Sequence, residues 1–435
     1  MSFKFSLESL VLGEVDFLKR YDFTIPKELD QKAIKKLNGD EKGLLKIYEM
    51  LQKLPEPKTP CFSLSDYKSI VKDFPKQSLL SLSLPKELEV KDKIFAGWLG
   101  RAAGCILGKP LECGLTLPEI KKYFGKEFPI KDYISFSIAH HIALEKNPAI
   151  HPHVTKPCSR EHIAYAMEDD DLNYTVLNLL LLEQKGHNFS IADVGNIWAS
   201  YLPVGCTYGA ETTALINFLC GLPIDRVPIY LNHFRDEIGA QIRADTFGYV
   251  CPGQPQLAAK YAFRDAAFSH TADGIYGEMF VAAAFSAKSI EDIIKYGLGQ
   301  VPKNSRLAEL VNKTLVWYSS LGNWEAVYDK IKVSTSQYKD GHTINNAAYV
   351  VNALLASNGD YESGITIAVM QGHDTDCNGA TVGSILGVYL GAKHLPEKWI
   401  RPLNDCLKTS LKGLSKTSIS ELAERVFRVS TLAIN

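Results

Sequence analysis

The chain has 435 residues, of which 46% are hydrophobic and 22% charged, with a formal net charge of −1. This is ordinary soluble globular composition, long enough for one large domain or two to three average ones. A balanced charge excludes bulk attraction to nucleic acid or to an acidic membrane, and no run reaches the ~18–20 uncharged apolar residues of a spanning helix. The expectation is no nucleic-acid partner and no membrane.

The N-terminal stretch carries acids within its apolar run, unlike a secretory signal. Residues 1–90 read as a helical extension packed on the main body. Within it, 30–53 reads as two short amphipathic helices around Asn38-Gly39, and a proline-rich stretch at 55–60 interrupts the pattern. From about residue 91 to 435 the periodicity is helical almost throughout, which predicts an all-α fold of roughly a dozen helices. Expected spans are 93–107, 161–167, 171–184, 190–201, 209–220, 255–262, 274–287, 289–295, 305–320, 345–357, 361–370, 378–393 and 417–427. The best strand candidate is 330–335. Nine cysteines without a C-x-x-C pair point to reduced thiols in a cytoplasm, with a periplasm as the alternative. Oligomeric state is not readable.

Two of the helical segments carry glycine at every fourth position, Gly100, Gly104 and Gly108 in one and Gly379, Gly383, Gly387 and Gly391 in the other. Each helical glycine costs about 1 kcal/mol relative to alanine, so a ladder of them implies close backbone packing. Arg101 and Lys109 in the first run argue against a lipid setting. A further expectation is that these helices bring their N-terminal loops together around a ligand.

Two acidic clusters lie about two hundred residues apart, Glu168-Asp169-Asp170-Asp171 and His373-Asp374-Thr375-Asp376, each at the mouth of an apolar helical run. Like charges are costly to gather away from water. A cation site for hard oxygen ligands would account for them, with Mg²⁺, Mn²⁺ or Ca²⁺ as the matching ions. The plainer alternative for each cluster is an acidic helix cap. His270, beside Ser and Thr, reads first as a residue satisfying neighbouring backbone groups, with a hydrogen bond to a ligand as the alternative. The stretch 236–255, with Arg243, Asp245, Phe247 and Tyr249, has the texture of a site-lining loop, although a salt-bridged structural loop reads equally well.

Four segments together resemble the ADP-ribosylglycohydrolase family. AGWLGRAAGCILGKPLE (96–112) is similar to its glycine-rich opening helix, and EDDDLNYTVLNLLLLE (168–183) to its Thr-Asp-Asp-Thr motif and helix. FSHTADGIYGEMFVAAAFSA (268–287) is similar to its Ser-His segment, and QGHDTDCNGATVGSILGVYLG (371–391) to its terminal Gly-Asp-Thr-Asp-Thr motif. The last reads as a divergent branch of the DTDCNGATVGSILG type. The resemblance implies an all-α fold, two Mg²⁺ or Mn²⁺ ions, and hydrolysis of an N- or O-glycosidic bond at the anomeric carbon of ADP-ribose. It implies metal ligation by Glu168, Asp169, Asp170, Asp374 and Asp376, with Asp170 or Asp376 acting on the attacking water. His270, Gly239, Arg243, Asp245, Gly274 and Tyr276 would bind substrate. Glu168 and Asp171 stand where the family has threonines, Cys377 replaces the last threonine, and Cys105 replaces an aspartate. Asp171, Cys377 and Glu112 are left without an assigned role.

Two competing readings keep the acidic clusters in play. One is a non-catalytic member that binds ADP-ribose or acts as a scaffold, suggested by Cys377. The other is an HD-type metal phosphohydrolase using His140 or His141, His373-Asp374 and Asp405. An isoprenoid synthase would need acids four apart, which Asp169, Asp170 and Asn173 do not supply.

Overall fold

A computed structural model describes residues 6–57, 65–75, 86–146, 154–285 and 289–431. Among them the chain forms 21 α-helices, short 3₁₀ turns and one two-stranded antiparallel ribbon, Leu407–Lys408 with Lys416–Thr417. The fold is all-α, as the periodicity predicts.

Its centre is a helix pair. The first ladder helix, Glu87–Gly108, and the second, Thr375–Leu390, lie antiparallel with their backbones in contact. A Cβ on Gly100, Gly104 or Gly108 would overlap the carbonyl oxygen of Gly383, Gly379 or Thr375, and a Cβ on Gly387 would overlap that of Ala96. The close packing expected from the glycine period is therefore present. The expectation about the helix ends is corrected. Because the pair is antiparallel, the C-terminus of the first helix, not its N-terminal loop, meets the N-terminus of the second. Thr375 Oγ1 donates to the Gly108 carbonyl at 2.9 Å and closes that junction.

Around the pair, one apolar core runs from Ile70 to Phe427. The acidic helix, Asp170–Lys185, begins beside the junction. A second, smaller core belongs to the N-terminal helices Leu7–Arg20, Gln31–Lys36 and Glu41–Leu51, the last two being those expected around Asn38-Gly39. It closes on Ala272, Tyr230 and Leu231 of the main body. The proline-rich stretch at 55–60 lies partly outside the described residues, as does the end of the span expected at 274–287; its helix runs Asp273–Ala284.

Two expected elements are corrected. Residues 330–335 are not a strand but the end of the helix Trp324–Ser334, started by the Asn323 side chain, which accepts from the Ala326 N–H. Its buried Val327, Tyr328 and Ile331 follow a helical stripe, which outweighs β-branched content. Residues 161–167 are turns, not a helix. There the Ala166 backbone is taken up by Cys406 and Lys408 in a parallel bridge to the ribbon.

Candidate metal centre

Three chain segments meet where the ladder helices join. The first ladder helix ends at Gly108, and a 3₁₀ turn at Lys109–Leu111 leads to Glu112. The acidic helix starts at Asp169, whose backbone is extended and whose Oδ1 accepts the Asp171 N–H at 2.9 Å. The second ladder helix starts at Asp374, after Gly372 and His373 at φ 77° and 62°. Two left-handed residues in succession make a sharp bend. The His373 N–H donates to the Leu115 carbonyl at 2.7 Å and fixes it.

The result is a set of convergent oxygens. Glu112, Asp169 and Asp376 each place a carboxylate oxygen within 4.8 Å of the others, and so do Asp169, Asp170 and Asp171. Asp171 and Asp376 also converge with the Cys377 sulfur. Asp376 is buried, and its Oδ1 has no hydrogen-bond partner, as is true of Asp171 Oδ2. Orphaned buried carboxylate oxygens are rare without a cation or water to satisfy them. A hard divalent cation suits this donor set. Asp170 and Asp374 are half-buried and Glu168 is exposed; of the three, Asp170 alone has its carboxylate in a convergent set.

The electrostatics follow from crowding. Burial and the neighbouring Asp169 carboxylate push Asp170 well above the ordinary range. Burial, then Asp376, pushes Asp374 up to about 8. Burial would also raise Asp169, but the Lys109 ammonium holds it below its ordinary value. Lys109 Nζ stands 2.5 Å from Asp169 Oδ2, 2.6 Å from Glu112 Oε2 and 3.2 Å from Asp376 Oδ2. Deeper in, the fully buried Arg101 pairs with Asp171 Oδ1 at 3.0 Å and Asp245 Oδ2 at 2.9 Å. Its Nη2 also donates to the Asp171 carbonyl at 2.7 Å.

Most of the residues expected to touch substrate sit inside the protein instead. Arg243 is wholly buried. It pairs with Glu211 at 2.9 Å and with Asp265, donates to Ser269 Oγ at 2.9 Å, and lies 3.6 Å from Glu278. Asp245 is committed to Arg101. His270 is buried with its Nδ1 on Ser269 Oγ at 2.8 Å, and burial keeps its ring neutral. Gly274 packs against the Arg235 carbonyl, and Tyr276 is buried. Gly239 alone of that set is partly exposed, and a Cβ there would overlap the Glu211 carboxylate.

The sequence reasoning missed several neighbours. Lys109 and Arg101 had counted only as evidence against a lipid setting. Their signal was a cation on a helix otherwise made of small and apolar residues, where burial demands a counter-charge. Glu211 and the 47%-exposed Tyr208 were not singled out, yet both feel the Asp170 charge or impose theirs on it. No motif marks either one.

Among the described residues the HD-type arrangement is not assembled. His373 spends Nδ1 on Asp340 at 2.8 Å and Nε2 on the Tyr349 hydroxyl at 3.0 Å, leaving neither nitrogen for a metal. Asp405 caps the helix Ile419–Arg428 through Ser420, and His141 is exposed beside Glu145.

A family model described as ADP-ribosylglycohydrolase matches residues 86–433. Among solved structures, one titled "ADP-ribosylglycohydrolase-related protein complex" is similar at 18% identity and a TM-score of 0.46, over 79% of this chain and 100% of that one. No curated protein matches.

Proposed function

Because the chain belongs to the ADP-ribosylglycohydrolase family, we propose that it is a divalent-metal-dependent hydrolase of the N- or O-glycosidic bond at the anomeric carbon of ADP-ribose, carried on a protein or a small molecule. The observation that carries this is the meeting of Asp171 and Asp376, one from each acidic cluster, in a convergent set with a buried, unpartnered oxygen on each. Asp169, Asp170, Asp374 and Asp376 would hold Mg²⁺ or Mn²⁺, with Glu168 able to join only by swinging in from solvent. The bound ion would supply a Lewis acid that eases deprotonation of a neighbouring water.

The residues divide the remaining work. Asp170, half-buried beside Asp169 and Asp171, is suited to orient the attacking water. Asp376, anchored at the helix start with one oxygen free, keeps the acidic group in register. Gly239 lets the Glu211 carboxylate pack directly against its backbone, and its partly exposed backbone would face substrate. Tyr208 offers an exposed aromatic face close to Asp170. Arg243, Asp245 and His270 act as positioning residues. The eight described cysteines are free, in keeping with a cytoplasmic setting, and among the described residues no helix is long and apolar enough to cross a membrane.

Isothermal titration with ADP-ribose, with and without Mg²⁺ or Mn²⁺, tests this on the wild type and Asp376→Ala. Binding that requires metal and disappears in the variant is the expected result. Undiminished turnover of every accepted substrate by Asp376→Ala or Asp170→Ala would refute the mechanism. Metal-dependent ADP-ribose binding without turnover of any linked substrate would favour the non-catalytic reading instead.

A further inference from the structure

Lys109 occupies a place built for a cation. The three carboxylates that its ammonium touches, Glu112, Asp169 and Asp376, are the same three that converge as one potential metal set. Their oxygens lie 2.6, 2.5 and 3.2 Å from Nζ. A divalent ion held by these oxygens would need to approach them at ~2.0–2.2 Å, which is the space that Nζ fills. The lysine stem is tethered as well. Residue 109 follows Gly108, whose backbone lies against Thr375, and precedes Pro110. Its Cα therefore cannot retreat without parting the two ladder helices.

A second internal cation acts next door. Arg101 holds Asp171 Oδ1 from the interior and leaves its Oδ2 unpartnered. What remains with neither a protein cation nor a hydrogen-bond partner is Asp171 Oδ2 and Asp376 Oδ1, whose carboxylates converge in one set with Cys377. Cys377, beside Asp376, offers sulfur where a hard ion prefers oxygen. The chain thus supplies donors and charge for one ion on that side, and its own ammonium on the other.

We infer that Lys109 is a built-in replacement for one divalent cation, so that the chain holds a single Mg²⁺ or Mn²⁺, at the unpartnered oxygens of Asp171 and Asp376, where the family resemblance implies two. This rests on the metal-dependent reading above.

The test is metal stoichiometry on the full chain, independent of turnover. Protein stripped with chelator is reloaded with Mn²⁺, and bound metal is counted by elemental analysis and examined by electron paramagnetic resonance. The wild type should retain one Mn²⁺ per chain, with the six-line spectrum of an isolated ion. Lys109→Ser should retain two, with the broadened spectrum of a close pair. Lys109→Arg, which keeps the charge, should retain one. Two ions in the wild type would overturn the inference and leave the hydrolase reading standing. One ion in both the wild type and Lys109→Ser would do the same. No tightly held ion in any form would overturn this inference and the metal-dependent reading together. Circular dichroism and thermal unfolding show which variants are folded, and the wild-type count decides alone should Lys109→Ser fail to fold.

Discussion

Glu211 sits between Arg243 and the partly exposed Gly239, and burial pushes its carboxyl up to about 7. The folded chain therefore binds a proton there at pH values where the unfolded chain, with an ordinary glutamate, has released it. An acid raised in this way stabilises the fold fully below its unfolded pKa of about 4.3, and that contribution is lost as pH rises through the folded value. Thermal unfolding of Glu211→Gln between pH 5 and 8 should show a flatter pH dependence than the wild type. The difference should be on the order of 1–3 kcal/mol across the window. An unchanged slope would mean that another buried acid of this network, such as Glu278, takes up the proton. At the same scale, clustered aspartates were conspicuous in the chain because their charge density is costly, and the structure brings both clusters to one place. The interior roles of Arg243, Asp245 and His270 were hidden, since a polar residue in a glycine-rich stretch reads alike whether it faces a ligand or a buried partner.

The two ladder helices are the element on which the site depends. Their mutual contact is backbone against backbone, so even one methyl has nowhere to go. Gly104→Ala would drive its Cβ into the Gly379 carbonyl, where neither helix can yield without moving the Lys109–Thr375 junction. The expected cost is about 2–4 kcal/mol in denaturant unfolding, together with weaker metal binding, because Asp374 and Asp376 begin the displaced helix. An alanine at the exposed Gly205, which faces open space, is the matched control. The period of four was legible because it is a local pattern. Which ends the pair would bring together was not, because antiparallel and parallel pairs share that pattern.

Across the molecule, the N-terminal segment is bolted to the body by buried charge. Glu14 and Arg235 form a two-pronged ion pair at 2.7 Å, and the guanidinium lies 3.6 Å above the centre of the Phe17 ring. Arg20 and His342 both hold the Asp236 carboxylate, at 3.1 and 3.0 Å. Burial would raise Asp236, but these two partners hold it well below the usual carboxylate range. Its stabilisation is therefore present above the ordinary aspartate pKa and is lost only as pH falls further. We read residues 6–57 as integral to the fold, since the clamped stretch 230–238 leads directly into Gly239. Glu14→Ala would leave Arg235 buried and unpaired, at an expected cost of about 3–5 kcal/mol. Urea unfolding measures that cost, and a value below 1 kcal/mol would show the segment to be a loosely held appendage.

The helical class, the glycine-mediated contact and the two acidic clusters are legible along the chain, because periodicity and charge density are properties of neighbours. Which acids meet, and what meets them, is a matter of long-range packing. Lys109 reaches Asp376 across 267 positions and Arg101 reaches Asp171 across 70. No local pattern encodes such pairings, because they arise only when the two ladder helices and the acidic helix pack around one point.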